Sequence, residues 1–127
     1  MITVGYNWEN KIILIAEDID SNYLFLEAVL KYTKAKTFWA KNGKIAVDMC
    51  KNQHIDIVLM DIQMPVMDGL EATKMIKLFN PKIPVIAQTA FAMENDREKI
   101  LAAGCDGYIS KPIRLDTLFS TLNKYLN

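Results

Sequence analysis

Charged and hydroxyl side chains follow four of the five short apolar runs in this sequence, at the point where each run ends. They are Glu17 and Asp18 after the first run, Asp61 after the third, Thr89 after the fourth and Lys111 after the fifth. If the runs are parallel strands of one sheet, their carboxyl ends meet at one edge, where open parallel sheets bind ligands. We therefore expect these five side chains to lie close together and to share one chemical task.

The expected site combines three carboxylates, one hydroxyl and one ammonium group, and this combination limits what it can bind. The carboxylates of Glu17, Asp18 and Asp61 would repel one another and raise one another's pKa unless a cation joined them. A few carboxylates and waters suit Mg²⁺ better than a closed Ca²⁺ site. Thr89 could donate a hydrogen bond to one phosphoryl oxygen, and Lys111 could pair with another. The set therefore predicts a site that receives a phosphoryl group on a carboxylate.

The apolar runs alternate with stretches of helical periodicity. We predict strands at 12–16, 37–40, 55–60, 84–88 and 107–109, and helices at about 21–30, 45–51, 70–78, 93–103 and 115–126. Five strands that alternate with five helices indicate an α/β fold, a doubly wound five-stranded parallel sheet with helices on both faces.

Two of these helices carry further expectations. In the first, Asp20 is expected to be the N-cap, and Leu24, Ala28 and Leu30 are expected to face the core. The last helix has the clearest helical period, which predicts one apolar face. Its members are Leu115, Leu118, Phe119, Leu122 and Leu126.

Length and composition favour one ordinary globular domain. The chain has 127 residues, 51% of them hydrophobic, and its fifteen basic and fifteen acidic residues give a net charge of zero. A neutral chain lacks the positive field of a nucleic-acid binder or of a protein held on anionic lipid. Cys50 and Cys105 form no CxxC motif and are expected to be buried thiols in a reducing cytosol. We predict a tail or linker at residues 1–10 and one domain at 11–127.

The motifs around the candidate site resemble a known family when taken in order. They are Glu17-Asp18, Asp61 within MDIQMPVMDG, Thr89-Ala90 and Lys111-Pro112 within GYISKP. From about Lys11 to the end, the chain resembles the receiver domain of two-component response regulators. The segments DIQMPVMDG and GCDGYISKPI are most similar to receivers attached to hybrid sensor histidine kinases. The resemblance implies the flavodoxin-like strand order 2-1-3-4-5.

The resemblance also implies a role for each site residue. Asp61 would accept the phosphoryl group and bind Mg²⁺, together with Asp18 and the backbone carbonyl of Gln63. Glu17 would act mainly through a metal-bound water, and Lys111 would contact the phosphoryl group.

Two further pairs of residues follow from the resemblance and from the expected geometry of the site. Thr89 and Tyr108 would be paired switch residues. Gln63 and Phe91 would flank the path of the water that hydrolyses the acyl phosphate, and a shielding Phe91 ring predicts slow self-dephosphorylation. The resemblance also implies a cis peptide bond between Lys111 and Pro112.

The expected function is a phosphorylation-controlled signalling module rather than an enzyme. Its phosphodonor would be a histidine kinase or a histidine phosphotransfer domain. An output partner or a second copy would bind the face formed by the fourth helix, the fifth strand and the last helix. We expect a cytoplasmic location, which includes the cytoplasmic part of a membrane-bound hybrid kinase, with no nucleic acid bound and no direct membrane contact. His54 is expected to be a solvated surface residue and not the phosphodonor.

Three other functions remain open on the residues alone. A phosphatase of the haloacid dehalogenase type also uses an aspartate nucleophile with Mg²⁺, but it needs a second aspartate where this sequence has Gln63. A flavin-binding protein shares the expected topology. A receiver that is not phosphorylated and serves only for docking is the third alternative, and the complete acidic site argues against it.

Overall fold

A computed structural model describes residues 5–90 and 94–127. In those residues the chain forms five strands and five α-helices, with one 3-10 turn at Lys31–Thr33. The strands are β1 (Ile12–Ala16), β2 (Lys36–Ala40), β3 (Ile57–Asp61), β4 (Val85–Thr89) and β5 (Gly107–Ser110). The helices are α1 (Asp20–Leu30), α2 (Gly43–Asn52), α3 (Gly69–Phe79), α4 (Glu94–Ala102) and α5 (Leu115–Leu126).

The five strands form one parallel sheet in the order β2-β1-β3-β4-β5. All four pairs of neighbours are parallel, so every strand ends at the same edge. The predicted doubly wound α/β fold and its strand order are confirmed. The order reverses direction between β1 and β3, and in open parallel sheets this is the point at which ligands bind.

Two hydrophobic layers cover the faces of the sheet. One face packs against α2, α3 and α4, and the other packs against α1 and α5. The three inner strands are almost fully buried, which is why their sequences are continuous apolar runs rather than alternating ones. The apolar face predicted for α5 is confirmed, because Leu118, Phe119, Leu122 and Leu126 are all buried.

The expected inner face of α1 is confirmed for Leu30 but wrong for Leu24 and Ala28, which are both exposed. Leu24 is 55% exposed, and the residues that α1 buries are Tyr23, Leu26, Val29 and Leu30. This helix carries apolar side chains around most of its circumference, so the sequence alone does not define its orientation. Packing against the sheet sets that orientation instead.

Local hydrogen bonds fix the N-termini of the two helices near the site, α2 and α3. The side chain of Asn42 accepts from the backbone N–H of Ile45 and begins α2, and that of Asp68 accepts from Glu71 and begins α3. These are ordinary N-caps. The expected cap of α1 is wrong, since Asp20 lies inside the helix and Ile19 occupies the N-cap without a side-chain hydrogen bond.

Part of the segment before β1 packs on the domain. Trp8 is only 2% exposed, its ring lies against Phe119 of α5, and its indole N–H donates to Asn123. Tyr6 stacks on both Trp8 and Phe119. The division of the chain between residues 10 and 11 stays a prediction. Over the described ranges, no helix is both long enough and apolar enough to cross a membrane.

Candidate functional site

The candidate side chains come from four loops or strand ends at one edge of the sheet. Asp61 is the last residue of β3 and Thr89 the last of β4. Backbone hydrogen bonds extend the sheet beyond its strands, from the N–H of Glu17 to Ala40 and from the N–H of Lys111 to Thr89. These bonds fix where the chain leaves the sheet, so the backbone itself places the site residues.

The three acidic residues form one cluster. One carboxylate oxygen each from Glu17, Asp18 and Asp61 lies within 4.8 Å of the others. Glu17 is fully buried and Asp61 is 4% exposed, while Asp18 is partly exposed and opens the cluster to solvent. Such a cluster of oxygen ligands fits a hard divalent cation.

The electrostatics of Glu17 agree with that fit. Burial and, after it, the neighbouring carboxylate of Asp61 together raise the pKa of this carboxyl to about 7, against the opposing effect of the Lys111 ammonium. Oε1 of Glu17 has no hydrogen-bond partner among the described residues. A buried acidic group with an unused oxygen gains free energy when a cation binds beside it.

Lys111 supplies the positive charge of the site. Its Nζ donates to Oδ2 of Asp61 at 3.0 Å and lies 3.7 Å from Oε1 of Glu17. The peptide bond that follows, to Pro112, is cis, as the family resemblance implied. One lysine thus partly neutralises two buried carboxylates.

The loop after β3 is held close to Asp61. The backbone N–H of Gln63 donates to Oδ1 of Asp61 at 3.1 Å, and the N–H of Gly69 donates to the carbonyl of Ile62. A Cβ atom at Gly69 would overlap the backbone carbonyl of Asp61, so only glycine allows α3 to start this close to β3. Asp61 therefore has both carboxylate oxygens engaged, one by a backbone amide and the other by Lys111.

Trp39 supports the site from the neighbouring strand β2. Its indole N–H donates to the backbone carbonyl of Glu17 at 2.7 Å, and its ring stacks on Tyr23 with 4.2 Å between the ring centres. The contacts of Trp39 were not predicted, because neither Trp39 nor Tyr23 belongs to a recognisable motif.

A small cleft of about 90 Å³ adjoins Asp61 on the α4 side of the sheet. Gln63, Thr89 and Lys111 line it together with Asp61, so the structure brings these predicted residues together. Tyr108 lies elsewhere, in an outer groove beside Ser110, with the guanidinium of Arg97 5.6 Å from its ring centre. Phe91 lies outside the described residues.

Sequence reasoning missed Gln88. This residue pairs with Asp61 in the register of β3 and β4, is fully buried and lines the same small cleft. The signal was present, because Gln88 is a polar residue that follows the apolar residues Val85–Ala87 and directly precedes Thr89.

The fold and the site define a class of α/β domain in which an aspartate, an acidic cluster and a lysine meet at the carboxyl edge of a doubly wound sheet. The profile of the response regulator receiver domain matches residues 13–123. The chain belongs to this family, and it is a receiver domain of two-component systems.

Relatives agree with this assignment. The polar-differentiation response regulator DivK of Brucella ovis is 40% identical over 118 residues, which cover 91% of this chain and 96% of DivK. The receiver domain of the sensor histidine kinase PA1611 from Pseudomonas aeruginosa, solved with a magnesium ion in its active site cleft, is 34% identical. Its TM-score is 0.85, with 91% of this chain and 97% of that chain covered.

A second similar structure contains a partner. It is the complex of the Saccharomyces cerevisiae histidine phosphotransfer protein Ypd1 with the receiver domain of the response regulator Ssk1. The match has a TM-score of 0.86 and 31% identity, and it covers 91% of this chain and 88% of that chain.

Proposed function

We propose that this receiver accepts a phosphoryl group on Asp61 from the phosphohistidine of a histidine kinase or a histidine phosphotransfer domain. The observation that carries the proposal is the pairing of Asp61 with Lys111 inside a cluster of three carboxylates. A carboxylate oxygen of Asp61 attacks phosphorus, the P–N bond to the donor imidazole breaks, and that nitrogen keeps the electron pair. The product is an acyl phosphate.

The acidic cluster is proposed to hold Mg²⁺ through Asp18, Asp61 and the backbone carbonyl of Gln63, with Glu17 acting through a metal-bound water. The magnesium ion in the PA1611 receiver supports this choice of cation. When bound, Mg²⁺ supplies positive charge against the phosphoryl oxygens. The chain contributes the Lys111 ammonium, which pairs with one phosphoryl oxygen, and the Thr89 hydroxyl, which donates to another.

The response to phosphorylation is proposed to pass through Thr89 and Tyr108. When Thr89 moves toward the phosphoryl group, Tyr108 leaves its outer groove and rotates inward. The face formed by α4, β5 and α5 then changes, and it is where an output partner or a second copy would bind. Gln63 and Phe91 are proposed to set the lifetime of the acyl phosphate.

The wider setting is also a proposal. The motif similarity and the phosphotransfer complex of Ssk1 support a place in a phosphorelay, with the chain as a stand-alone regulator or as the receiver of a hybrid histidine kinase. We infer a cytoplasmic signalling role without turnover of external substrates.

Labelling with a small phosphodonor tests the proposal. With acetyl phosphate and Mg²⁺, the protein should gain one phosphoryl group, read by intact-protein mass spectrometry. Asp61→Asn should abolish the gain. Asp68→Asn is the matched control, because Asn caps a helix as well as Asp and α3 keeps its start. Equal labelling of Asp61→Asn and the wild type would refute Asp61 as the acceptor.

A further inference from the structure

Gln88 presents buried polar atoms beside the acidic cluster. None of its surface is exposed, and its Cα pairs with that of Asp61. Among the described residues, neither Nε2 nor Oε1 of its carboxamide has a hydrogen-bond partner. Buried amides nearly always make hydrogen bonds, because losing water without a replacement costs free energy. A partner for this group is therefore required by the chemistry of the site.

A cleft behind the site offers room for that partner. Its volume is about 260 Å³, and it lies between α1 and the loop that joins β5 to α5. Glu17, Asn22, Gln88 and Lys111 supply its polar lining, and the remaining lining residues are apolar or proline. A water molecule takes up about 30 Å³ in the liquid and needs two to four polar partners when buried. The cleft meets both conditions.

The unpartnered atoms are also complementary. Gln88 has an N–H donor at Nε2, and Glu17 has an unused acceptor at Oε1. Lys111 has an ammonium with three donors, of which one bonds to Asp61. The Oε1 atom of Gln88 can accept a hydrogen bond, through water, from one of the other two N–H groups of Lys111. Unused donors and unused acceptors therefore border the same cleft.

We propose that Gln88 is a positioning residue of the phosphorylation site. Ordered water in the cleft joins its Nε2 donor to Oε1 of Glu17 and its Oε1 acceptor to the ammonium of Lys111. Through these links Gln88 holds Glu17 in the orientation that serves the cation and Lys111 in the orientation that serves the phosphoryl group. The inference rests on the proposed function, because it assigns Gln88 a part in the same reaction.

The variant Gln88→Met tests the proposal, because methionine has a similar length and no hydrogen-bonding amide. We expect about a tenfold loss of Mg²⁺ affinity by calorimetry, the size typical of losing an outer-shell partner. Labelling by acetyl phosphate at saturating Mg²⁺ should slow as well. In metal-free buffer the variant should keep the circular dichroism spectrum of the wild type, which shows that it is folded. Ile86→Met is the matched control, because Ile86 is buried on the same face of β4 two residues earlier.

A second measurement needs no substitution. In the metal-free wild type, the carboxamide protons of Gln88 should give NMR cross-relaxation peaks with bound water. The absence of these peaks, or an unchanged Mg²⁺ affinity in folded Gln88→Met, would overturn the role of Gln88. Failure of the wild type to be labelled would instead contradict the proposed function, so the two failures are distinguishable.

Discussion

The ammonium of Lys111 lies 3.0 Å from a carboxylate oxygen of Asp61, although 50 positions separate the two residues in the sequence. The contact joins the end of β3 to the loop after β5, with β4 between them. The same ammonium lies 3.7 Å from Glu17. Lys111 is therefore placed to compete with the proposed cation for the carboxylates and to assist the proposed reaction at Asp61.

Because Lys111 contacts both carboxylates, we expect Lys111→Met to raise the affinity for Mg²⁺ and to lower the rate of phosphorylation. Removing the ammonium takes a positive charge away from the cluster, so Mg²⁺ should bind several-fold more tightly. Phosphorylation by acetyl phosphate should slow by roughly 10²-fold, about the effect of losing one preorganised donor. Calorimetry and labelling kinetics measure the two effects. Lys74→Met, on an exposed position of α3, is the control and should change neither.

The pKa of Glu17 predicts a pH dependence of Mg²⁺ binding. Burial, with help from Asp61, raises this pKa to about 7 in the metal-free protein. As the pH falls through about 7, Glu17 binds a proton that Mg²⁺ must displace, so the affinity should fall by up to about tenfold per pH unit. Above that range the affinity should level off.

The variant Glu17→Gln is the control for this pH dependence. It removes the titrating group, so its Mg²⁺ affinity should be lower overall and should change little between about pH 6 and pH 8. If the variant kept the slope of the wild type, another group would be responsible.

Because α3 approaches β3 closely at Gly69, we expect Gly69→Ala to lower the free energy of unfolding. Alanine favours helices over glycine by up to about 1 kcal/mol, so Gly69→Ala would ordinarily stabilise α3. Here the new Cβ would overlap the carbonyl oxygen of Asp61. We expect a loss of about 1–3 kcal/mol in the free energy of unfolding by urea. Gly5→Ala, with no atom within 4 Å of its new Cβ, should stay within about 0.5 kcal/mol of the wild type.

Because the thiols of Cys50 and Cys105 are buried, we expect both to react slowly in the native protein. Both cysteines are free and buried, as the sequence indicated. Burial raises the pKa of Cys50 to about 12, and it also raises that of Cys105. Because the thiolate is the reactive form, neither should react with Ellman's reagent in the native protein at about pH 8. Both should react in urea, and rapid native labelling would contradict the burial of these side chains.

The sheet and most of the site could be predicted from the sequence for a physical reason. A strand buried on both faces is a continuous apolar run, and a charged residue at its end is visible directly. Glu17 and Asp61 stand at such ends, whereas Lys111 follows the edge strand β5, and a parallel sheet brings all of its strand ends to one edge.

The errors occur where the local pattern is not decisive. Helix α1 has exposed apolar residues such as Leu24 and Phe25, so its inner face depends on packing against the sheet. Gln88 was read as an ordinary strand residue, because a single polar side chain in an apolar run does not say what lies beside it. Only the register with Asp61 places it at the site.

Borohydride trapping locates the phosphorylated residue of the protein directly. Borohydride reduces an aspartyl phosphate to homoserine, which peptide mass spectrometry can locate. After treatment with acetyl phosphate and Mg²⁺, we expect homoserine at position 61 and at no other aspartate. Homoserine at another aspartate of a labelled protein, or a labelled protein that contains none, would contradict it.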